Sequence, residues 1–177
     1  MTSEEGTYGP WQRWGSSAGI VAAGGRAWRL VLGRPVAAGR TCALDLGRAR
    51  VGVAIDDDLG MMAHPRGTLS GRDRKALLAE LVRLAKEERV TRFVVGLPLH
   101  MNGQEGPEAR EARVIAQQIA DATGRAVEMW DERLTTMQAQ RSLSASEVRG
   151  KKARARIDEA AACAILQSWL DARRGGA

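Results

Sequence analysis

Cysteine is nearly missing from this 177-residue chain, which holds only Cys42 and Cys163. Both lie in apolar stretches, and no C-x-x-C pair or His/Cys cluster accompanies them, so neither a disulfide scaffold nor a zinc site is indicated. The two thiols read as small buried hydrophobes of a reducing compartment. Aromatic residues make up only 4% of the chain, too few for stacking on bases to be its main mode of contact. No apolar run approaches the ~18 residues that span a bilayer, so no membrane partner is expected.

What remains suits one globular domain with a tail: 44% of residues are hydrophobic, enough to bury a core. The net charge of +6 leans towards a polyanionic partner. Half of it lies in residues 1–40, where Arg13, Arg26, Arg29, Arg34 and Arg40 stand against Glu4 and Glu5. The rest of the chain is therefore only mildly basic. Residues 1–40 are glycine-rich, hold Trp11, Trp14 and Trp28, and keep no lasting helical or strand period. They read as a poorly ordered extension or as sequence upstream of the true start. An arginine-rich, acid-poor transit peptide is the alternative. Within them, Trp28-Arg29-Leu30-Val31-Leu32 is a run able to dock against the fold.

From residue 41 the periodicity becomes legible. Thr41 to Leu46 and Val51 to Ile55 are apolar strands separated by a turn with Gly47, which predicts an antiparallel hairpin. A third strand is expected within 61–69. Arg72 to Arg89 is a helix with Leu77, Leu81 and Leu84 as its apolar stripe. Arg92 to Leu97 reads as a strand buried on both faces and hence parallel to its neighbour. After a loop from Pro98 to Pro107, a helix runs from Glu108 to Thr123 and stops at Gly124. Ala126 to Trp130 is the fifth strand. Thr135 or Thr136 caps a short helix to Leu143, and a last helix runs from Arg156 to Arg173. Three hairpin strands followed by helix–strand–helix–strand–helix predict an α/β fold, a ribonuclease-H-like mixed five-stranded sheet flanked by helices, over residues 41–173.

Acidic residues at the ends of these apolar elements carry the chemical information. Asp45 interrupts Ala43-Leu44-Asp45-Leu46, where the strand calls for another apolar side chain. An unpaired ionised Asp there is costly, so it either ligates a cation or pairs with Arg48 or Arg50. Asp131 and Glu132 follow a strand directly, at a junction typical of active sites in such sheets. Their side chains alternate, so Glu132 is the chosen ligand and Asp131 a support or second candidate. The structural alternative has Asp131 bonded into the turn and Glu132 paired with Arg133. Asp158, in the first turn of the last helix, also benefits from the helix dipole. Carboxylates on separate elements are what two-metal phosphodiester cleavage requires, with Mg²⁺ or Mn²⁺ held by oxygen donors.

Arg149, Lys151, Lys152, Arg154 and Arg156 crowd the segment before Asp158. They are either a solvated loop or phosphate-binding cations that guide a strand to the site. Arg133 could hold Glu132 or a phosphate, and His100 is either a proton shuttle or an inert loop residue.

These stretches together resemble the YqgF/RuvX family of pre-16S rRNA nucleases, also described as Holliday-junction-resolvase-like. The resemblance spans residues 41–171. It rests on Ala43-Leu44-Asp45-Leu46-Gly47 with Val51-Gly52-Val53-Ala54, and on Val94-Val95-Gly96-Leu97-Pro98-Leu99. It continues through Asn102-Gly103 and Glu105-Gly106-Pro107, then Asp131-Glu132-Arg133-Leu134-Thr135-Thr136, and Ile157-Asp158-Glu159-Ala160-Ala161 with Ile165-Leu166. It implies a metal-dependent nuclease with Asp45, Glu132 and Asp158 as its acidic residues. It also implies a cytoplasmic protein acting on pre-16S rRNA, in ribosomal precursor particles, at the 5′ end of the RNA. Two departures stand out. The loop reads Leu99-His100-Met101-Asn102-Gly103 where the family has Leu-Asn-Met-Asp-Gly, and Ala161 stands a turn after Asp158 where related resolvases carry a second acid. The second departure weakens resolution of branched DNA more than it weakens cleavage of RNA. Two further readings are a sugar-kinase-type ATPase, for which this chain has length for one lobe only, and a non-catalytic ribosome or RNA-polymerase accessory protein.

Overall fold

The computed structural model describes residues 18–20, 30–32, 39–134 and 151–175. Its elements in chain order are β1 (Ala18–Ile20), β2 (Leu30–Leu32), β3 (Arg40–Leu46), β4 (Arg50–Asp56), β5 (Ala63–Ser70), α1 (Arg74–Glu87), β6 (Val90–Leu97), α2 (Pro107–Thr123), β7 (Ala126–Asp131), a 3₁₀ turn (Glu132–Leu134) and α3 (Lys151–Gly175). The helix expected from Thr135 or Thr136 to Leu143 lies outside the described residues.

One mixed sheet runs in the order β1-β2-β7-β6-β3-β4-β5. The expected five strands, β3 to β7, form its body. The hairpin β3–β4 is antiparallel with Asp45 opposite Gly52, and β3, β6 and β7 run parallel. Parallel neighbours need cover on both faces, and the continuous apolar run Phe93-Val94-Val95 is accordingly wholly buried. Beyond β7, the short run Leu30–Leu32 docks antiparallel on Val127 and Glu128, and β1 pairs with it in turn.

Two apolar layers sandwich this sheet. On one face α1 and α2 pack Leu77, Leu81, Ile115 and Ile119 against Leu44, Val53, Phe93 and Val95. On the other, α3 lays Ala162, Ile165, Leu166 and Trp169 against Ala43, Ala54, Val94 and Trp130. Asp73 caps α1 by accepting from the Ala76 amide at 3.1 Å, so the helix starts at Arg74 rather than Arg72. Gly124 ends α2 in the left-handed conformation, φ 65°, as expected of a C-cap glycine.

The last helix differs from expectation in a way that matters. It reaches back through Lys151, beyond the expected start at Arg156, because Lys-Lys-Ala-Arg-Ala-Arg is a string of good helix formers. Asp158 is thus the eighth residue of α3, and the first-turn dipole argument for it does not hold. No helix among the described residues is long and apolar enough to cross a membrane.

Candidate active site

Strand pleating decides which side chains can meet. Ala43, Ala54, Val94 and Trp130 all face α3. Side chains alternate along a strand, so residues two further along share that face. Asp45 is two beyond Ala43, Gly52 two before Ala54, Gly96 two beyond Val94, and Glu132 two beyond Trp130. All four lie at one edge of the sheet, since β3, β6 and β7 end there and the antiparallel β4 begins there. Continuing the β3–β6 register one residue past Leu44↔Val95 sets Asp45 beside Gly96.

Two glycines make room for this arrangement. A Cβ on Gly52 would overlap the backbone carbonyl of Asp158, so α3 crosses β4 at the residue paired with Asp45. A Cβ on Gly96 would overlap Glu132 Oε1 and Ile165 Cδ1, so the Glu132 carboxylate lies over β6 beside α3. Asp45, Glu132 and Asp158 therefore converge on one patch between the sheet edge and α3. Asp45 and Glu132 are both buried, at 7% exposure, whereas the Asp158 side chain is 24% exposed. Isolated glycines inside Val51-Gly52-Val53 and Val95-Gly96-Leu97 were the sequence signal for this close approach.

The cations sort differently from expectation. Arg50, at the start of β4 and on the α3 face, bonds Asp158 Oδ2 through Nε at 2.7 Å. Arg48 reaches Glu108 at 3.3 Å. Arg133 folds back on Asp131, with Nε 3.0 Å from Oδ1 and a terminal nitrogen 2.6 Å from Oδ2. The Arg133 amide also bonds Asp131 Oδ1 at 3.0 Å, and its guanidinium reaches the Met101 carbonyl at 3.4 Å. Asp131 is thus built into the turn and tied to Arg133, and the structure does not bring it to the other three. Lys151, Lys152, Arg154 and Arg156 fall on the first two turns of α3, with Arg156 exposed, and Arg149 lies outside the described residues. His100 packs against Gly106 at the start of α2.

The donor chemistry of the three acids suits a divalent cation. Asp45, Glu132 and Asp158 offer only carboxylate oxygens, the donors that Mg²⁺ and Mn²⁺ prefer. Among the described residues, no three His, Cys, Asp or Glu side chains already stand close enough to hold an ion. The donor set suits such an ion in its chemistry, and in this structure Asp158 is engaged by Arg50 instead.

The opposite edge of the sheet is also acidic, with Asp56, Asp57, Asp58 and Glu88 around Arg40, which bonds Asp58 at 2.6 Å and Glu88 at 3.2 Å. Asp56 is buried there and accepts from the Thr41 amide at 2.8 Å. Burial, partly offset by that amide, pushes its carboxyl above the usual range.

Comparison with known proteins agrees with this architecture. The sequence profile of RuvX, described as Holliday junction resolvase, matches residues 39–172. A protein of Myxococcus xanthus named "Putative pre-16S rRNA nuclease" is 47% identical over 135 residues, covering 76% of this chain and 89% of that protein. One of the same name from Anaeromyxobacter is 46% identical over 134 residues, covering 76% and 98%. The Thermus thermophilus RuvC bound to a Holliday junction substrate shares the fold with a TM-score of 0.52. Its identity is only 14%, over 77% of this chain and 96% of that one. With the profile spanning three quarters of the sequence, this chain belongs to the RuvX family and is a nuclease of ribonuclease-H-like fold.

Proposed function

We propose that this nuclease is a divalent-metal-dependent endonuclease of structured RNA that trims the 5′ end of pre-16S rRNA during ribosome assembly in the cytoplasm. The observation that carries the reading is the convergence of Asp45, Glu132 and Asp158 from β3, the end of β7 and α3 onto one face of the sheet edge. Three acidic residues brought to one end of an otherwise apolar layer are unfavourable for packing and offer the oxygen donors that Mg²⁺ or Mn²⁺ prefers. Such ions, when bound, activate water and stabilise the leaving oxygen of a phosphodiester. Asp45 and Glu132 are the fixed part of the site because both are buried on rigid strand ends. Asp158 is the adjustable part, more exposed and on a helix. Arg156 and the neighbouring Lys151, Lys152 and Arg154 lie on the same helix, in the two turns that lead to Asp158, where cations attract a phosphate backbone.

Cleavage of branched DNA is the second reading, favoured by the description of the matching family. Against it stands Ala161, one turn after Asp158 and only 1% exposed within the α3 layer. A fourth carboxylate at that position would have to be buried against the sheet. A 5′-extended 16S precursor and a four-way junction, offered in parallel with Mg²⁺ or Mn²⁺, separate the two. We expect metal-dependent cutting of the RNA that Asp45→Asn and Asp158→Asn each reduce by at least ~10²-fold with the fold retained, the scale of losing a charge-stabilising group. Undiminished cutting by Asp45→Asn would remove the site from consideration, and faster cutting of the junction would reverse the choice of substrate.

A further inference from the structure

We propose that Arg50 is a phosphate-binding residue of this site, held on Asp158 until a divalent cation takes that carboxylate. The inference rests on the metal-dependent reading above and adds a residue and a switch to it. Arg50 opens β4 with the same pleat parity as Gly52 and Ala54, which puts it on the face that carries the three carboxylates. Its Nε lies 2.7 Å from Asp158 Oδ2, across 108 residues of sequence. Both side chains remain partly exposed, 32% for Arg50 and 24% for Asp158, so the pair sits at the mouth of the site rather than in its floor. The neighbouring arginines are engaged elsewhere, Arg48 with Glu108 and Arg133 with Asp131.

Two consequences follow from charge alone. The guanidinium already neutralises Asp158 and occupies its Oδ2, so the pair opposes cation binding there. Once Asp158 is engaged by the cation, the guanidinium is released beside the place where the phosphodiester must lie. A planar fork with five donors then suits two of the phosphate oxygens. Cation and substrate thereby favour the same rearrangement, and each strengthens binding of the other.

The test reads two affinities in the full-length protein. Mn²⁺ binding is followed by electron paramagnetic resonance of the free ion, without nucleic acid. Binding of a fluorescein-labelled RNA stem-loop is followed by anisotropy in Ca²⁺. In Arg50→Gln, Mn²⁺ should bind about fivefold more tightly, the weight of one partly exposed ion pair. The RNA should bind about tenfold more weakly, the loss of a charge-assisted hydrogen bond. Opposite signs are the signature, because a merely structural arginine would weaken both. Unchanged or weaker Mn²⁺ binding, or unchanged RNA binding, overturns the proposal. Should Arg50→Gln lose its circular dichroism spectrum, Arg50→Lys, which keeps charge without the fork, carries the same test. It should weaken RNA binding about threefold with Mn²⁺ binding no weaker, and wild-type RNA affinity there overturns the proposal too. The two readings fail separately. Mn²⁺ that binds wild type but not Asp45→Asn, with Arg50→Gln behaving as wild type, sinks the role of Arg50 alone. Absence of Mn²⁺ binding to wild type sinks both.

Discussion

Replacing Gly52 by alanine should disable this enzyme through one methyl group. A Cβ at that position would lie 2.5 Å from the Asp158 carbonyl carbon and 3.3 Å from its Cα, nearer still to the carbonyl oxygen. Ordinary carbon contacts are ~3.5 Å or more, so the helix backbone must retreat by about 1 Å. The atoms met are backbone, and no rotamer change can relieve the overlap. The retreat is concentrated at Asp158 because the far half of α3 is pinned. Trp169 Nε1 donates to the buried Glu128 at 3.0 Å, Trp130 Nε1 to Ser168 at 3.2 Å, and the Ala63 amide to Gln167 at 3.0 Å. Overpacking of this kind costs ~1–3 kcal/mol. At ~3 °C per kcal/mol for a domain of this size, the Tm should fall by ~3–9 °C. On the proposed role of Asp158, displacing it by about 1 Å costs ~10²-fold in rate, far beyond what the stability loss explains at a permissive temperature. Thermal unfolding followed by circular dichroism gives the first number, and single-turnover RNA cleavage well below the Tm gives the second. A Gly52→Ala protein with wild-type Tm and wild-type cleavage would refute the claim that α3 is seated on this glycine.

Two further outcomes can be checked at residues outside the candidate site. Asp56 is buried with its carboxyl pushed up, so the folded state holds its proton more tightly than the unfolded chain and loses stability as pH rises from below the ordinary Asp value of 3.8 towards and through the raised one. Asp56→Asn keeps an acceptor for the Thr41 amide, so its Tm should match wild type at the acid end and exceed it at neutral pH. A difference that does not grow with pH would contradict this. Glu128 is fully buried, paired with Arg92 at 3.2 Å and bonded by Trp169, so Glu128→Ala should cost ~3–5 kcal/mol in urea unfolding. Glu128→Gln, which keeps the acceptor for Trp169, should cost clearly less. Equal losses for the two would show that Trp169 is not held through that oxygen.

Much of this architecture was legible in residue order. The strand periods of 41–46, 51–55 and 92–97, the helix stop at Gly124 and the parallel setting of β6 all follow from local pattern, because burial on one or both faces imposes it. The start of the last helix was not legible. Its basic first turns look like a loop in composition, yet Lys, Ala and Arg are all good helix formers and α3 extends through them. The short strand Leu30–Leu32 was visible as an apolar run, but its place beside Val127 and Glu128 was not, since three residues carry no register.

The order of residues by itself determined that acids sit where apolar elements end, and hence that Asp45, Glu132 and Asp158 were worth suspecting. It could not say who faces whom. It offered Arg48 or Arg50 as a partner for Asp45, and Asp131 as the second candidate behind Glu132. Pleat parity, the crossing of α3 over Gly52 and the space above Gly96 put Arg50 on Asp158 and the Glu132 carboxylate over β6, while Asp131 turned to Arg133. Contacts between residues a hundred positions apart depend on how layers stack, and no local pattern encodes that stacking.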